Sequence, residues 1–548
     1  MIITAHSNAQ TWQWARTSKQ CYDPVYSVLE TFKTAIDGNG NLYAVGNNAG
    51  TCTVFGTDTI HNISNSTSNM FLVKHDSLGN YKWSLNSGYG SIGVPQGVAT
   101  DVSGNVYWTG VFTSPTVTFG SYTLTTTFES GFLVKCDSTG NVLWAKKIDQ
   151  YITNTGLATS PDGSVYVIGS FLGAAITADT FSLPNSGPGS DLFLLKYDAA
   201  GNVVWARRAG TLANNDEGFN VSCDGIGNVY IQGVYQSSLI SFGSVTLVNA
   251  DSSRGNIFVA KYNSSGTPLW ARQAVCYGGA SSSPTANIKA DNLGNLYFTG
   301  SFNSDSFVIG TYVFRNDSLP EYDLFLAKMD PLGNLLWAQR GGGKGNDAGS
   351  GMTVDAVGNL WLVGGTSFEN SMVLDTAHLH VPASNDASFI AEFSPAGHIM
   401  YHTELDFGGD DYFGIETDHN GNIYIGGDYY QGSYYLGVDT LHNYGVENFI
   451  VAKLGGAVNL LPLNISTYVV PQNISIFPNP ATNEFCITTE VPIGNSSVSI
   501  TNTLGQEVKD LSIVSATTKI PTTDMPSGMY ICKVMVNGNI SVHKLVVR

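Results

Sequence analysis

The sequence predicts an all-β fold: a seven-bladed β-propeller whose N-terminal strand closes the last blade, followed by a small β-sandwich domain. Three observations predict it. Two short motifs alternate along residues 10–456 at a nearly constant period. The stretches that carry them alternate apolar and polar residues with period two, the pattern of half-buried strands. The piece missing from the last repeat stands at the opposite end of the chain.

The first motif reads FLVKHDSLGNYKWS at 71–84, FLVKCDSTGNVLWAKK at 132–147, FLLKYDAAGNVVWARR at 193–208, FVAKYNSSGTPLWARQ at 258–273 and FLAKMDPLGNLLWAQR at 325–340, with a degraded copy, FIAEFSPAGHIMYHTE, at 389–404. The second places an aromatic at Tyr43, Tyr107, Tyr166, Tyr230, Tyr297, Trp361 and Tyr424. Successive spacings are 64, 59, 64, 67, 64 and 63 residues, a period that indicates a repeat array.

Each unit divides into four strands. The innermost is short and rich in small residues, as in Gly97-Val98-Ala99-Thr100, which suits a crowded axis. The second and third are apolar runs such as 105–112 and 131–137, and the fourth carries the repeat Trp. Between the second and third lies a further recurring piece, 117–124 or 240–247, expected to be an inserted hairpin arm. The first–second and third–fourth turns share Asp-x-x-Gly-Asn. There Asp can accept backbone N–H groups two residues on, and Gly can take the left-handed conformation.

The third-strand Lys recurs at 74, 135, 196, 261 and 328, becomes Glu392, and returns at Lys453. The seventh copy stops at 456 without its fourth strand. TWQWARTSK at 11–19 matches the missing piece, with Trp14 in the repeat Trp position. The repeats resemble the bacterial β-propeller family called SBBP over residues 10–456. That resemblance implies a secreted propeller and assigns no activity.

Residues 457–472 read as a linker, and 473–548 as a separate β-domain. Pro478-Asn479-Pro480-Ala481, a run ending at Gly505-Gln506, Ser527-Gly528-Met529-Tyr530 and the terminal Lys544-Leu545-Val546-Val547 follow one another in order. This resembles the type A sorting domain of the type IX secretion system. The resemblance implies passage through the outer membrane by the type IX machinery, and a protein secreted or held at the outer-membrane surface. Ser7-Asn8-Ala9 within residues 1–9 looks like the tail of a secretory signal.

Net charge is −18, from 25 basic and 43 acidic residues, which argues against nucleic acid or an anionic membrane as partner. No apolar run of membrane-spanning length occurs. Seven Cys without CxxC spacing point away from zinc and redox sites. They leave one candidate disulfide, Cys486 to Cys532, beside small buried hydrophobes.

Catalytic signatures are absent, and neither cofactor nor metal is expected. Gly88-Tyr89-Gly90-Ser91-Ile92-Gly93 has the GxGxxG spacing without the following helix that a dinucleotide needs. Asp37-x-Asn39-x-Asn41 and Asp418-x-Asn420-x-Asn422 begin like calcium loops, but position 12 falls on Asn48 and Tyr429. His378 and His380 are read as a surface pair.

The long connections between units are where function is expected to concentrate. They carry Asp216, Glu217, Asp347, Asp410, Asp411 and Tyr412, with Tyr89, Tyr151 and Tyr277 nearby. This acidic, aromatic face suits a glycan, a cation or a surface protein. A binding propeller is the favoured reading. A secreted enzyme degrading polysaccharide or peptide in the central funnel is the alternative.

Overall fold

The computed structural model describes residues 10–20, 29–62, 68–88, 93–211, 214–251, 254–278, 282–316, 319–367, 372–379, 387–405, 414–429, 433–442, 448–455, 475–488, 496–502, 507–512, 515–523, 525–536 and 539–547. Residues 1–9 and 457–472 lie outside this range. The chain divides into two units, Met1–Asn459 and Leu460–Arg548.

In the first unit the described residues form seven antiparallel groups of four strands. The first group is Leu29–Ile36, Leu42–Asn48, Asn69–His75 and Tyr81–Asn86. Its second and third strands are buried along their whole length, while the fourth is half-buried with Lys82 exposed. The inner strands of the other groups are Gly93–Thr100, Ile152–Thr159, Asp216–Cys223, Ser282–Ala290, Asp347–Val354 and Gly414–Thr417. Each inner strand packs against that of the next group, and the last packs against the first.

The seventh group joins the two ends of the repeat region. Thr11–Thr17 pairs antiparallel with Asn448–Gly455, with Trp14 opposite Lys453. Asn448–Gly455 also pairs with Ile423–Tyr429, so the N-terminal segment completes the sheet as its fourth strand.

Hairpin arms occur where the recurring insert predicts them, for example Thr116–Phe119 with Tyr122–Thr125. Two arms extend the preceding group's outer strand: Ser306–Ile309 pairs with Pro268–Tyr277, and Met372–Leu374 with Leu335–Gly342.

One set of contacts repeats between neighbouring groups. In the first, second, fourth and seventh groups the Asp of the first turn accepts two backbone N–H groups on Oδ1, and the Asn amide and repeat Tyr hydroxyl on Oδ2. For Asp101 these come from Ser103, Asn105 and Tyr107 at 2.8–3.0 Å. These carboxylates are therefore occupied by their own turn. The third-strand Lys then lies over the Tyr ring, 5.0 Å from its centre for Lys135 and Tyr107. Its ammonium reaches the next group's third–fourth turn: Lys74 to Ser138 O, Lys135 to Ala199 O, Lys196 to Ser264 O, Lys261 to Pro331 O and Lys328 to Pro395 O. The repeat Trp indole donates to the same carbonyl in each case. The turn glycine must be Gly for two reasons. Gly140 has φ +93°, and a Cβ there would stand 2.9 Å from the Trp83 indole.

In the second unit two sheets share one core. Ser475–Phe477, Glu484–Thr488 and Thr517–Pro521 form the first sheet. Glu507–Ser512, Ser496–Asn502, Gly528–Val536 and Asn539–Val547 form the second. Phe485, Ile487, Val498, Ile500, Ile520, Tyr530 and Leu545 meet between them. The candidate Cys486–Cys532 disulfide is not formed, and both thiols are free. Period two explains it: Cys486 alternates with the buried Phe485 and Ile487 and faces away, while Cys532 points into the core. Cys52, by contrast, is disulfide-bonded.

Candidate functional site

The seven inner strands surround a cavity of about 260 Å³, and residues from all seven line it. Strand register sorts its walls into layers. Opposite the repeat aromatics stand Ala35, Ala99, Ala158, Ser222, Lys289, Thr353 and Glu416. Two residues earlier come Lys33, Gly97, Gly156, Asn220, Asn287, Gly351 and Gly414. Small side chains are what close approach of seven strands requires, so the charged members of each layer stand out.

Lys289 and Glu416 form an ion pair at 3.0 Å across the intervening strand, and Thr353 Oγ1 donates to the same carboxylate at 3.3 Å. Gln96 accepts from Thr155 Oγ1 at 2.9 Å, and Asn287 donates to Ser350 O at 3.2 Å. Among the described lining residues Glu416 is the one carboxylate. Lys33 is half-buried, and burial alone lowers the pKa of its ammonium. Sequence reasoning missed Lys33, Lys289 and Glu416. The signal was there: three charged residues stand at inner-strand positions where the other repeats carry Ala, Ser, Gly, Thr or Asn.

The acidic connections differ from expectation. Asp216 begins an inner strand and is fully buried. It accepts N–H bonds from Thr211, Gln236 and Ser237 at 3.1–3.2 Å and the Ser237 hydroxyl at 2.5 Å. Burial outweighs these bonds and pushes its pKa up to about 6. Asp347 is likewise fully buried, accepts from Gly343 N at 2.7 Å, and is pushed up to about 7 by burial first and the nearby Asp323 charge second. Both carboxylates fasten a connection to the start of the next sheet, where they satisfy backbone donors that would otherwise be orphaned. They do not form an exposed acidic rim.

Glu217 is half-buried beside Ser190, and its pKa is raised by burial. Tyr151 and Tyr277 are exposed. Asp410, Asp411, Tyr412 and Tyr89 lie outside the described residues, as does His380. His378 is exposed on a hairpin arm.

In the second unit, the Pro-Asn-Pro turn and the terminal motif are bound to each other. Asn479 Oδ1 accepts from Val546 N at 2.9 Å, and Ala481 N donates to Val546 O at 2.7 Å. Tyr530 donates its hydroxyl to Pro526 O at 2.6 Å, just before Gly528 begins its strand. Lys544 lies in the last strand opposite Ile531. Gly505 and Gln506 lie outside the described residues.

Among known proteins, the chain is 24% identical over 364 residues to an uncharacterized WD repeat-containing protein of Acanthamoeba polyphaga mimivirus, covering 54% of this chain and 26% of that protein. It is 29% identical over 223 residues to the regulatory protein FlaEY of Caulobacter vibrioides, covering 39% and 22%. The chain thus spans about a quarter of each relative. Solved structures of similar form include a Dyadobacter fermentans protein of unknown function, with TM-score 0.35, 9% identity and coverage of 80% and 98%. Another is the type IX surface component PorZ of Porphyromonas gingivalis, with TM-score 0.17, 10% identity and coverage of 96% and 100%. Residues 475–548 match the secretion system C-terminal sorting domain, and the chain is a protein exported by type IX secretion to the cell surface or the extracellular space.

Proposed function

We propose that residues 10–456 are a closed seven-bladed β-propeller of SBBP type that serves outside the cell as a binding module. A linker over 457–472 joins it to the sorting domain of 473–548. The observation that carries this reading is the set of seven inner strands around one polar cavity with a single carboxylate, Glu416, among its described lining residues. A glycosidase needs two carboxyl groups flanking the scissile bond. Glu416 is already committed to Lys289. Recognition rather than hydrolysis fits that lining.

The outer partner is a glycan or a surface protein, met by the connections beside the exposed Tyr151 and Tyr277. Exposed tyrosines on rigid blades offer stacking faces at low entropic cost. Screening the exported full chain against a glycan array and extracted surface proteins tests the reading. Binding that weakens with Tyr277→Ala and Tyr151→Ala supports it. Release of cleaved sugar or peptide by the chain would replace it with the enzyme alternative.

A further inference from the structure

We infer that the central cavity is a binding site for a small organic carboxylate of sugar size, a sugar acid, with Lys33 as its counter-ion. The site lies apart from the outer loop face, and it rests on the propeller reading only for its role outside the cell.

Three observations on the lining converge. The first is charge. Among the described residues, Lys33, Lys289 and Glu416 are the charged ones that line the cavity, and the last two pair at 3.0 Å. Lys33 therefore leaves the cavity one positive charge, inside a chain whose net charge is −18. The second is space. In the layer of Lys33, four of the seven positions are glycine: Gly97, Gly156, Gly351 and Gly414. A Cβ on Gly97, Gly156 or Gly414 would stand 2.3–2.9 Å from the next inner strand, so these glycines let the strands close up, and the cavity they enclose, about 260 Å³, matches a single sugar ring better than a polymer. The third is wall chemistry. Asn220 and Asn287 complete that layer and Gln96 stands beside it, so hydroxyl and carboxylate groups meet amides.

An ammonium hemmed in by protein is costly unless it meets an opposite charge. Burial accordingly lowers the pKa of the Lys33 ammonium. A carboxylate in the same space opposes that shift, because the pair attracts more strongly than it would in water. Neutral sugars gain only the amide contacts.

Isothermal titration of the full chain with glucuronate, glucose and acetate tests this. Glucuronate should bind at least about tenfold more tightly than glucose, and Lys33→Met should lose at least about tenfold, the scale of one charge-assisted hydrogen bond. Lys33→Arg should retain binding, and Tyr277→Ala should leave it unchanged. Equal glucuronate affinity in wild type and Lys33→Met, or no glucuronate binding at all, overturns the site. Should Lys33→Met fail to fold, the ¹³C signal of reductively methylated Lys33, assigned by its loss in Lys33→Arg, reports instead: a shift on adding glucuronate supports the site, and none overturns it. Glucuronate failure alongside Tyr277-dependent glycan binding removes the cavity site alone and leaves the outer-face reading standing.

Discussion

The Trp14 indole and the Lys453 ammonium, from opposite ends of the repeat region, both donate to the carbonyl of Ser77, at 3.1 and 3.4 Å. The same Lys and Trp couple joins each of the first five groups to its successor. At the chain ends it has been assembled from two separate segments. Arg16 adds a third match: its Nε donates to Gly79 O as Arg207 does to Gly266 O and Arg272 to Gly333 O. Gly79 is the close-approach glycine here, and a Cβ on it would meet the Trp14 ring at 2.7 Å.

Removing this clasp should open the seam. Trp14→Ala deletes a buried indole and its hydrogen bond and should cost about 3–5 kcal/mol. Deleting residues 1–18 should cost more, because the strand pairing with Asn448–Gly455 goes with it. Calorimetric melting reads both. An unchanged transition in the deletion would contradict the closure.

The sixth group departs from the rule, and the clasp explains why. Its Lys is Glu392 and its Trp is Tyr401. Their acceptor would be a carbonyl in the seventh group's third–fourth turn. That sheet takes its fourth strand from the N-terminus, so no such turn joins its third and fourth strands. Lys and Trp at this interface would have no such carbonyl to reach. Burial, and secondarily the charge of Asp355, push Glu392 up to about 7. A carboxyl whose folded value is raised lends stability that is full below its ordinary range, near 4.5, and lost as pH rises through about 7. Glu392→Gln should therefore flatten that part of the stability profile and stabilise the protein at pH 8. Lys135→Met, by contrast, should cost about 1–3 kcal/mol at every pH in that range. Urea melts from pH 4 to 8 separate the two.

Much of this was legible in the sequence. The Tyr spacing, the Asp-x-x-Gly-Asn turns and the truncated seventh copy carry strand order, turn chemistry and the pairing of Thr11–Thr17 with Asn448–Gly455, because each depends on neighbours close in sequence or on exact repetition. Asp216 and Asp347 were not legible. A carboxylate near Gly in a connection resembles a solvated loop residue, and the Ser237 donors that bury Asp216 come from another strand end. Lys33, Lys289 and Glu416 share a site only because strands from the first, fifth and seventh groups converge there. Each residue alone reads as a surface charge.

The buried pair gives a second pH signature. Asp216, pushed up to about 6, and Asp347, pushed up to about 7, are protonated in the fold at pH values where the unfolded chain has released the proton. Their contribution is complete below about pH 4 and disappears as pH climbs to 7. Asp347→Asn keeps an acceptor for Gly343 N without the charge. It should raise stability by about 1 kcal/mol at pH 8 and leave pH 4 nearly unchanged. A loss at pH 8 would show that ionised Asp347 stabilises the fold.

Export should depend on the contact between Asn479 and Val546. The two motifs lie far apart in sequence, yet Val546 N donates to Asn479 Oδ1 and Val546 O accepts from Ala481 N. Ala481 is fully buried in the shared core together with Leu545 and Val547. Removing residues 544–548 strips the partners from the Pro-Asn-Pro turn and takes Leu545 out of that core. Asn479→Ala removes one bond, at about 1 kcal/mol. Fractionation should find the five-residue truncation held in the periplasm with its repeat unit folded, and the Asn479→Ala protein exported at reduced yield. Normal amounts of the truncated chain in the medium would mean that recognition needs neither the terminal strand nor the turn it holds.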